Sequence, residues 1–276
     1  MRIGQFLMWV ALALLPMLAK DATAAERTLT LTLGDSVRRF TADDLLARPD
    51  AVAIAIPNDL SYRREMSYRA VPLLELIGAD TLRGVATLEA RASDGFVAQI
   101  PAEYVRQAAG GGAMAWIAIE DPADPWPTLP AKSISAGPFY LVWENPERSN
   151  IASEYWPYAL VAIAGVADPV ERWPQLAVDA ALPDDAAERR GQGSFIRNCL
   201  PCHRLNGAGE GDVGPDLGQP MNVTEYMTPA GLKALVRDPK SVRTWPGQQM
   251  PGFGNDQIPD AELDALVSFF AHVAGR

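Results

Sequence analysis

The sequence predicts an α+β chain: a mixed, mostly-β half followed by an all-α half. Three observations carry this. Short alternating apolar runs separated by turn residues fill the stretch up to about residue 165. A proline- and acid-rich segment at 168–185 then breaks the pattern. Close to the end, Leu263, Leu266, Val267 and Phe270 form one apolar stripe at helical spacing. The 276 residues suit two modest domains, and a 48% hydrophobic content is ample for two packed cores.

Residues 1–25 read as an export signal. Arg2 gives a thin positive start, residues 6–19 are apolar, and Ala22-Thr23-Ala24 is a small-residue cleavage pattern. An apolar run of that length is shorter than the roughly 20 residues a membrane span needs. No other stretch is long and apolar enough to cross, so no transmembrane segment is expected in the mature chain, and its expected location is the periplasm.

In the first half, residues 29–33 alternate Leu and Thr as a strand, and Gly34-Asp35 turns it into a second strand at 37–40. Thr41, followed by Asp43 and Asp44, caps a short helix with Leu45 and Leu46 on its apolar face. Residues 51–56 make another strand, broken by Pro57-Asn58-Asp59. A charged, aromatic segment at 61–68 leads to a helix that starts near Pro72 and stops at Gly78. Residues 82–91 and 96–100 flank Asp94-Gly95 as a hairpin. Pro101 opens a further short helix, and residues 113–119, 139–143 and 155–163 supply the remaining β runs. Residues 120–138 form a long surface connection held by Trp126 and Trp143.

Beyond the boundary, Asp184 or Asp185 caps a helix through Gly191 and Phe195. A middle helix spans 229–236 and the clearest helix spans 259–273, with Asp260 and Glu262 in its first turn. The expected organisation is a signal peptide at 1–25, a first domain at 26–168, a linker at 169–185 and a second domain at 186–276.

The chemistry concentrates in Cys199-Leu200-Pro201-Cys202-His203, which holds both cysteines and one of two histidines in the chain. C-x-x-C-H is the attachment signature of a c-type haem: two thiols bond the porphyrin and the histidine ligates the iron. The alternative is a disulfide or dithiol redox pair. For the second axial position the candidates are His272, Met221, Met227 and Met250. Met250 stands on a constrained loop before Pro251-Gly252, and His272 falls within the last helix.

The order Gly191, Phe195, Cys199-Leu200-Pro201-Cys202-His203, Gly214-Pro215-Asp216-Leu217 and Gln249-Met250-Pro251-Gly252-Phe253, closing in an amphipathic helix, resembles a class I cytochrome c domain over residues 186–276. The resemblance implies one covalent haem c, with His203 and Met250 as iron ligands and Cys199 and Cys202 as attachment points. It also implies that the backbone carbonyl of Pro215 accepts from His203, that Arg243 and Trp245 meet a propionate, and that Gly191 and Phe195 meet Phe269 or Phe270 where the terminal helices cross.

In the first half, Gly34-Asp35, residues 41–46 and 68–78, Ser93-Asp94-Gly95-Phe96 with Ile100-Pro101, and Tyr155-Trp156 with residues 159–163 resemble the molybdopterin-binding domain of the sulfite oxidase family. That family's metal-ligating cysteine would lie near Ile56-Pro57-Asn58, yet no cysteine precedes Cys199 and the domain holds no histidine. The resemblance therefore implies a docking domain without its cofactor.

The expected function is single-electron transfer between periplasmic redox proteins, the partner being a dehydrogenase, another cytochrome or an oxidase. A haem-containing molybdopterin oxidoreductase and a mainly structural subunit are the alternatives. The net charge of −10 argues against nucleic-acid binding, which needs clustered cations. Residues 26–185 hold nearly all of that charge, while 186–276 is close to neutral with nine basic and ten acidic residues. Lys233, Arg237, Lys240 and Arg243 form a candidate basic docking face. Elemental analysis of the purified protein is expected to find iron near one equivalent and no molybdenum; molybdenum near one equivalent would instead establish the oxidoreductase alternative.

Overall fold

Leu29, Leu31 and Leu33 are buried while the threonines between them are half-exposed, so the first strand turns one face to a core. The computed structural model describes residues 28–130 and 132–274, and the expected signal peptide lies outside them. Nine strands are described: β1 Thr28–Leu33, β2 Ser36–Thr41, β3 Val52–Asp59, β4 Arg64–Pro72, β5 Thr87–Ala92, β6 Val97–Pro101, β7 Met114–Ile119, β8 Phe139–Glu144 and β9 Leu160–Val166. They form a five-stranded sheet in the order β2-β1-β9-β5-β6 and a four-stranded sheet in the order β3-β4-β7-β8. Only the β1–β9 pairing is parallel. Between the strands lie four short helices: α1 Ala42–Leu46, α2 Leu73–Ile77, α3 Ala79–Leu82 and α4 Ala102–Arg106.

Several local expectations meet their structural counterparts directly. Thr41 and Asp44 form a reciprocal capping box on α1. Pro72 precedes α2, and Gly78 ends it with φ 94°, a conformation that favours glycine. Asp94-Gly95 sits in the turn between the antiparallel β5 and β6.

Others differ, each for a tertiary reason. The Pro57-Asn58-Asp59 break is instead an irregularity inside β3, where the register shifts between Ile56 and Asp59. Asp59 is 1% exposed and accepts from Ser61 N, Tyr62 N and the Tyr68 hydroxyl at 3.0, 2.8 and 2.8 Å, so the strand ends on a buried carboxylate. Burial raises its pKa more than those hydrogen bonds lower it. The segment at 61–68 belongs largely to β4, whose buried Met66, Tyr68 and Ala70 alternate with exposed residues. Strand β5 begins at Thr87 because residues 79–82 turn as α3 to bury Leu82. Strand β9 begins at Leu160, since Tyr155 and Trp156 lie in the preceding loop, where the carbonyl of Tyr155 accepts from Trp143 Nε1 at 2.8 Å.

The remaining helices are α5 Pro169–Arg172, α6 Ala187–Asn198, α7 Val223–Tyr226, α8 Pro229–Arg237, α9 Pro239–Val242 and α10 Asp260–Ala274. Helix α6 has Ala186 at its N-cap with no side-chain bond, so neither Asp184 nor Asp185 caps it. Residues 169–185 are packed rather than free. Arg172 reaches Glu89 at 2.7 Å and Gln99 at 3.2 Å, Leu176 is buried in the helical core, and Asp179 N donates to His272 Nε2 at 3.2 Å. Burial pushes Glu89 up, but the hydrogen bonds from Arg172 and Gln99 outweigh it and hold the carboxyl below its ordinary range.

The helical core is built on the crossing of α6 and α10. Phe195 meets both Phe269 and Phe270, with ring centroids 5.7 Å apart in each case. Gly191 permits the close approach: a Cβ there would lie 2.0 Å from Ala265 O and 2.7 Å from Phe269 Cβ. In an exposed helix, Gly→Ala gains about 1 kcal/mol. At this contact the overlap dominates, and Gly191→Ala is expected to destabilise the protein by about 1–3 kcal/mol in denaturant unfolding. A midpoint that is unchanged or higher would contradict the crossing.

Candidate haem site

Helix α6 ends at the C-x-x-C-H motif, and backbone hydrogen bonds wind the motif into a compact turn. Cys199 N and Leu200 N both donate to Phe195 O, and Cys202 N and His203 N both donate to Cys199 O. The two thiols are half-buried and not bridged. Burial, followed by the charges of Glu154 and Asp94, pushes Cys202 up to about 12, and burial raises Cys199 as well. A reactive dithiol has a depressed pKa, so this environment is the opposite of a thioredoxin-like site.

The imidazole of His203 is fixed from two sides. Its Nδ1 lies 2.8 Å from Pro215 O. Gly214 abuts the ring so closely that a Cβ there would fall 2.3–2.8 Å from three ring atoms. A proton on Nδ1 directed at the carbonyl leaves Nε2 unprotonated and able to ligate a metal. Burial lowers the His203 pKa against the raising effect of Pro215, which favours that neutral form. Asp216 secures the arrangement by accepting from the backbone N–H groups of Asn206, Gly207, Gly218 and Gln219 at 2.7–3.0 Å. The motif reading quoted Asp216 without assigning it this task. Its position beside turn-forming residues is the signal available in sequence.

A cavity of about 370 Å³ lies against Cys202. Val213, Gln249 and Pro251 line it on the helical side, so both neighbours of Met250 stand on its wall. Met250 itself is half-buried against the helical core. Its loop is held by Phe253 N donating to Val236 O at 2.9 Å, and by Gly252, where a Cβ would lie 2.5 Å from Arg237 O. Met227 is half-buried on the same core, and Met221 is 48% exposed. His272 is on α10, accepting from Asp179 N. Two unbridged thiols, a braced imidazole and a half-buried thioether are the donor set that a covalently attached haem needs, and of these residues Cys202 lines the cavity. Among the described residues no group of three or more His, Cys, Asp or Glu could hold a metal.

Two expectations about charge change. Lys233 pairs with Asp264, and Arg237 with Asp260 at 2.7 Å and with the carbonyls of Phe253 and Gly254. Half of the candidate basic face thus joins α8 to α10. Arg243 and Trp245 are exposed and stacked on each other at 5.1 Å, which leaves the expected propionate contact open.

Sequence reasoning missed that the β-rich region closes over the motif. Val97 N donates to Pro201 O at 2.9 Å, inside the C-x-x-C-H turn, and Asp212 N donates to Gly95 O at 3.1 Å. Gln257 Nε2 reaches Ser153 Oγ at 3.0 Å, and Arg91 faces Glu210 at 3.6 Å. These contacts join residues more than 100 positions apart, so no local pattern marks them. Gly214→Ala is expected to displace the His203 ring and lower stability by about 1–3 kcal/mol, read as a lower unfolding midpoint of the full chain. An unchanged midpoint would contradict the ring's placement.

Residues 186–270 match the family model described as cytochrome c oxidase, cbb3-type, subunit III. No curated protein matches the chain. The matched stretch covers the thiol motif, the braced histidine and the methionine loop, and it supports a C-terminal cytochrome c-type domain, with the haem c and electron transfer that such a domain implies.

Proposed function

We propose that the chain is a periplasmic electron carrier with a single haem c in residues 186–276. Cys199 and Cys202 attach the group, His203 and Met250 ligate its iron, and the Pro215 carbonyl holds the imidazole. The observation that carries this reading is the 2.8 Å contact between His203 Nδ1 and Pro215 O, which leaves Nε2 of the motif's histidine available to a metal. Bound haem supplies a one-electron iron couple. Held by a thioether and an imidazole, the iron would favour the reduced state relative to two histidines. Were His203 and Met250 both to hold the iron, the chemistry the group would supply is electron transfer rather than coordination of a substrate.

Residues 26–168 act in partner docking, as a relative of the sulfite oxidase molybdopterin domain that carries no metal. Near the place expected for a thiolate, β3 ends on Asp59, whose oxygens are engaged by Ser61, Tyr62, Tyr68 and Tyr140. That carboxylate braces the fold and is not presented to a ligand.

Replacing Met250 with alanine is expected to abolish the weak sulfur-to-iron absorption band while leaving the haem covalently attached. Survival of the band would move the axial assignment to Met227.

A further inference from the structure

The two sheets have four edge strands, β2 and β6 in one and β3 and β8 in the other. Three of these edges are covered or defended. Strand β6 is buried apart from Pro101 and gives Val97 N to Pro201 O, and β8 is buried through Trp143 and gives Leu141 N to Pro157 O. Strand β2 is exposed but carries Arg38 and Arg39, and Arg38 reaches Leu76 O at 2.6 Å. Charge on an edge discourages another strand from adding to it. Strand β3 has no such device over residues 52–56, which read Val-Ala-Ile-Ala-Ile and pair only with β4. Among the described residues, no backbone group of that stretch bonds outside the β3–β4 ladder. Pro57 and the register shift come only after Ile56.

The side chains repeat the pattern. Val52, Ile54 and Ile56 share a face with their β4 partners Ala70, Tyr68 and Met66. Those partners and Ile56 are buried, yet Ile54 is half-buried and Val52 is 42% exposed, so this apolar row overhangs the core. On the other face Ala53 and Ala55 are exposed and small. We infer that this edge pairs with β3 of a second copy of the chain, antiparallel about a twofold axis at Ile54. Directly opposed residues point to the same face, so such an axis passes through a residue, and Ile54 is the middle of the stretch. Val52 then lies opposite Ile56, Ile54 opposite itself and Ala53 opposite Ala55, so large residues meet large ones and small meet small. Just outside the stretch Asp50 faces Asn58, and no like charges oppose each other. That self-match selects a second copy over an unrelated strand. Pairing limited to these residues buries less than the roughly 1,200 Å² of a tight complex, so the dimer is weak and depends on concentration.

The test is analytical sedimentation of the full chain over a range of concentrations, with two variants at positions 53 and 55. Both positions face solvent, so the core is untouched. Ala53→Lys with Ala55→Lys sets lysine opposite lysine twice across the axis. Ala53→Glu with Ala55→Lys differs at one residue and sets glutamate opposite lysine twice. The expected result is a monomer–dimer equilibrium for the wild type, a dimer about tenfold weaker in the lysine–lysine variant, and one within about threefold of wild type in the glutamate–lysine variant. A wild-type chain that stays monomeric up to about 1 mM overturns the pairing, whatever strand then covers the edge. A dimer that weakens equally in both variants, or in neither, overturns it as well, because its interface does not set Ala53 opposite Ala55.

Discussion

An imidazole can serve a buried metal only when its second nitrogen has an acceptor, because otherwise the ring rotates or takes the wrong tautomer. The contact from His203 to Pro215 O meets that condition, and much of the helical half is arranged to maintain it. Gly214 gives the ring its space, and Asp216 ties together the loops on either side through four backbone donors. Upstream, the α6–α10 crossing at Gly191 fixes where α6 ends and hence where the thiols begin. Packing, loop geometry and ligand orientation are therefore one chain of constraints. A disturbance at Ala265 is felt at Cys199 through a single helix.

What was legible in the sequence is what is set locally. The thiol motif is five consecutive residues, and the cap on α1 is made by Thr41 and Asp44 three positions apart. Gly78 and Gly95 each adopt a positive φ that few other residues tolerate. The misread segments all depend on distant partners. The Pro57-Asn58 stretch looks like a breaker until Asp59 is seen to accept from Tyr68 across the hairpin, and Tyr140 on β8 adds a longer contact at 3.4 Å. The packing of the linker at 169–185 likewise depends on distant residues, since Arg172 meets Glu89 and Leu176 enters the helical core. The basic residues of α8 have the spacing of a docking face, and acids on α10 take two of them.

The junction between the halves was the least legible feature and has the widest consequences. Backbone bonds at Val97–Pro201 and Gly95–Asp212 use groups that every residue carries, so side-chain identity does not announce them. Gly95 contributes by conformation: with φ 92° it turns the β5–β6 hairpin against Asp212, where a Cβ would sit 3.5 Å away. Once that hairpin is seated, the wall beside Cys202 includes residues from both halves. The loop at 153–158 then lines the same cavity as Cys202, a placement that its own sequence context does not indicate.

This seating also decides which field a partner meets. Residues 26–185 carry almost all of the net charge of −10, whereas the helical half is near neutral. The half that carries this charge is seated on the attachment turn through Val97 and Gly95. Such a field steers cationic surfaces inward and weakens over a Debye length of about 8 Å at physiological salt.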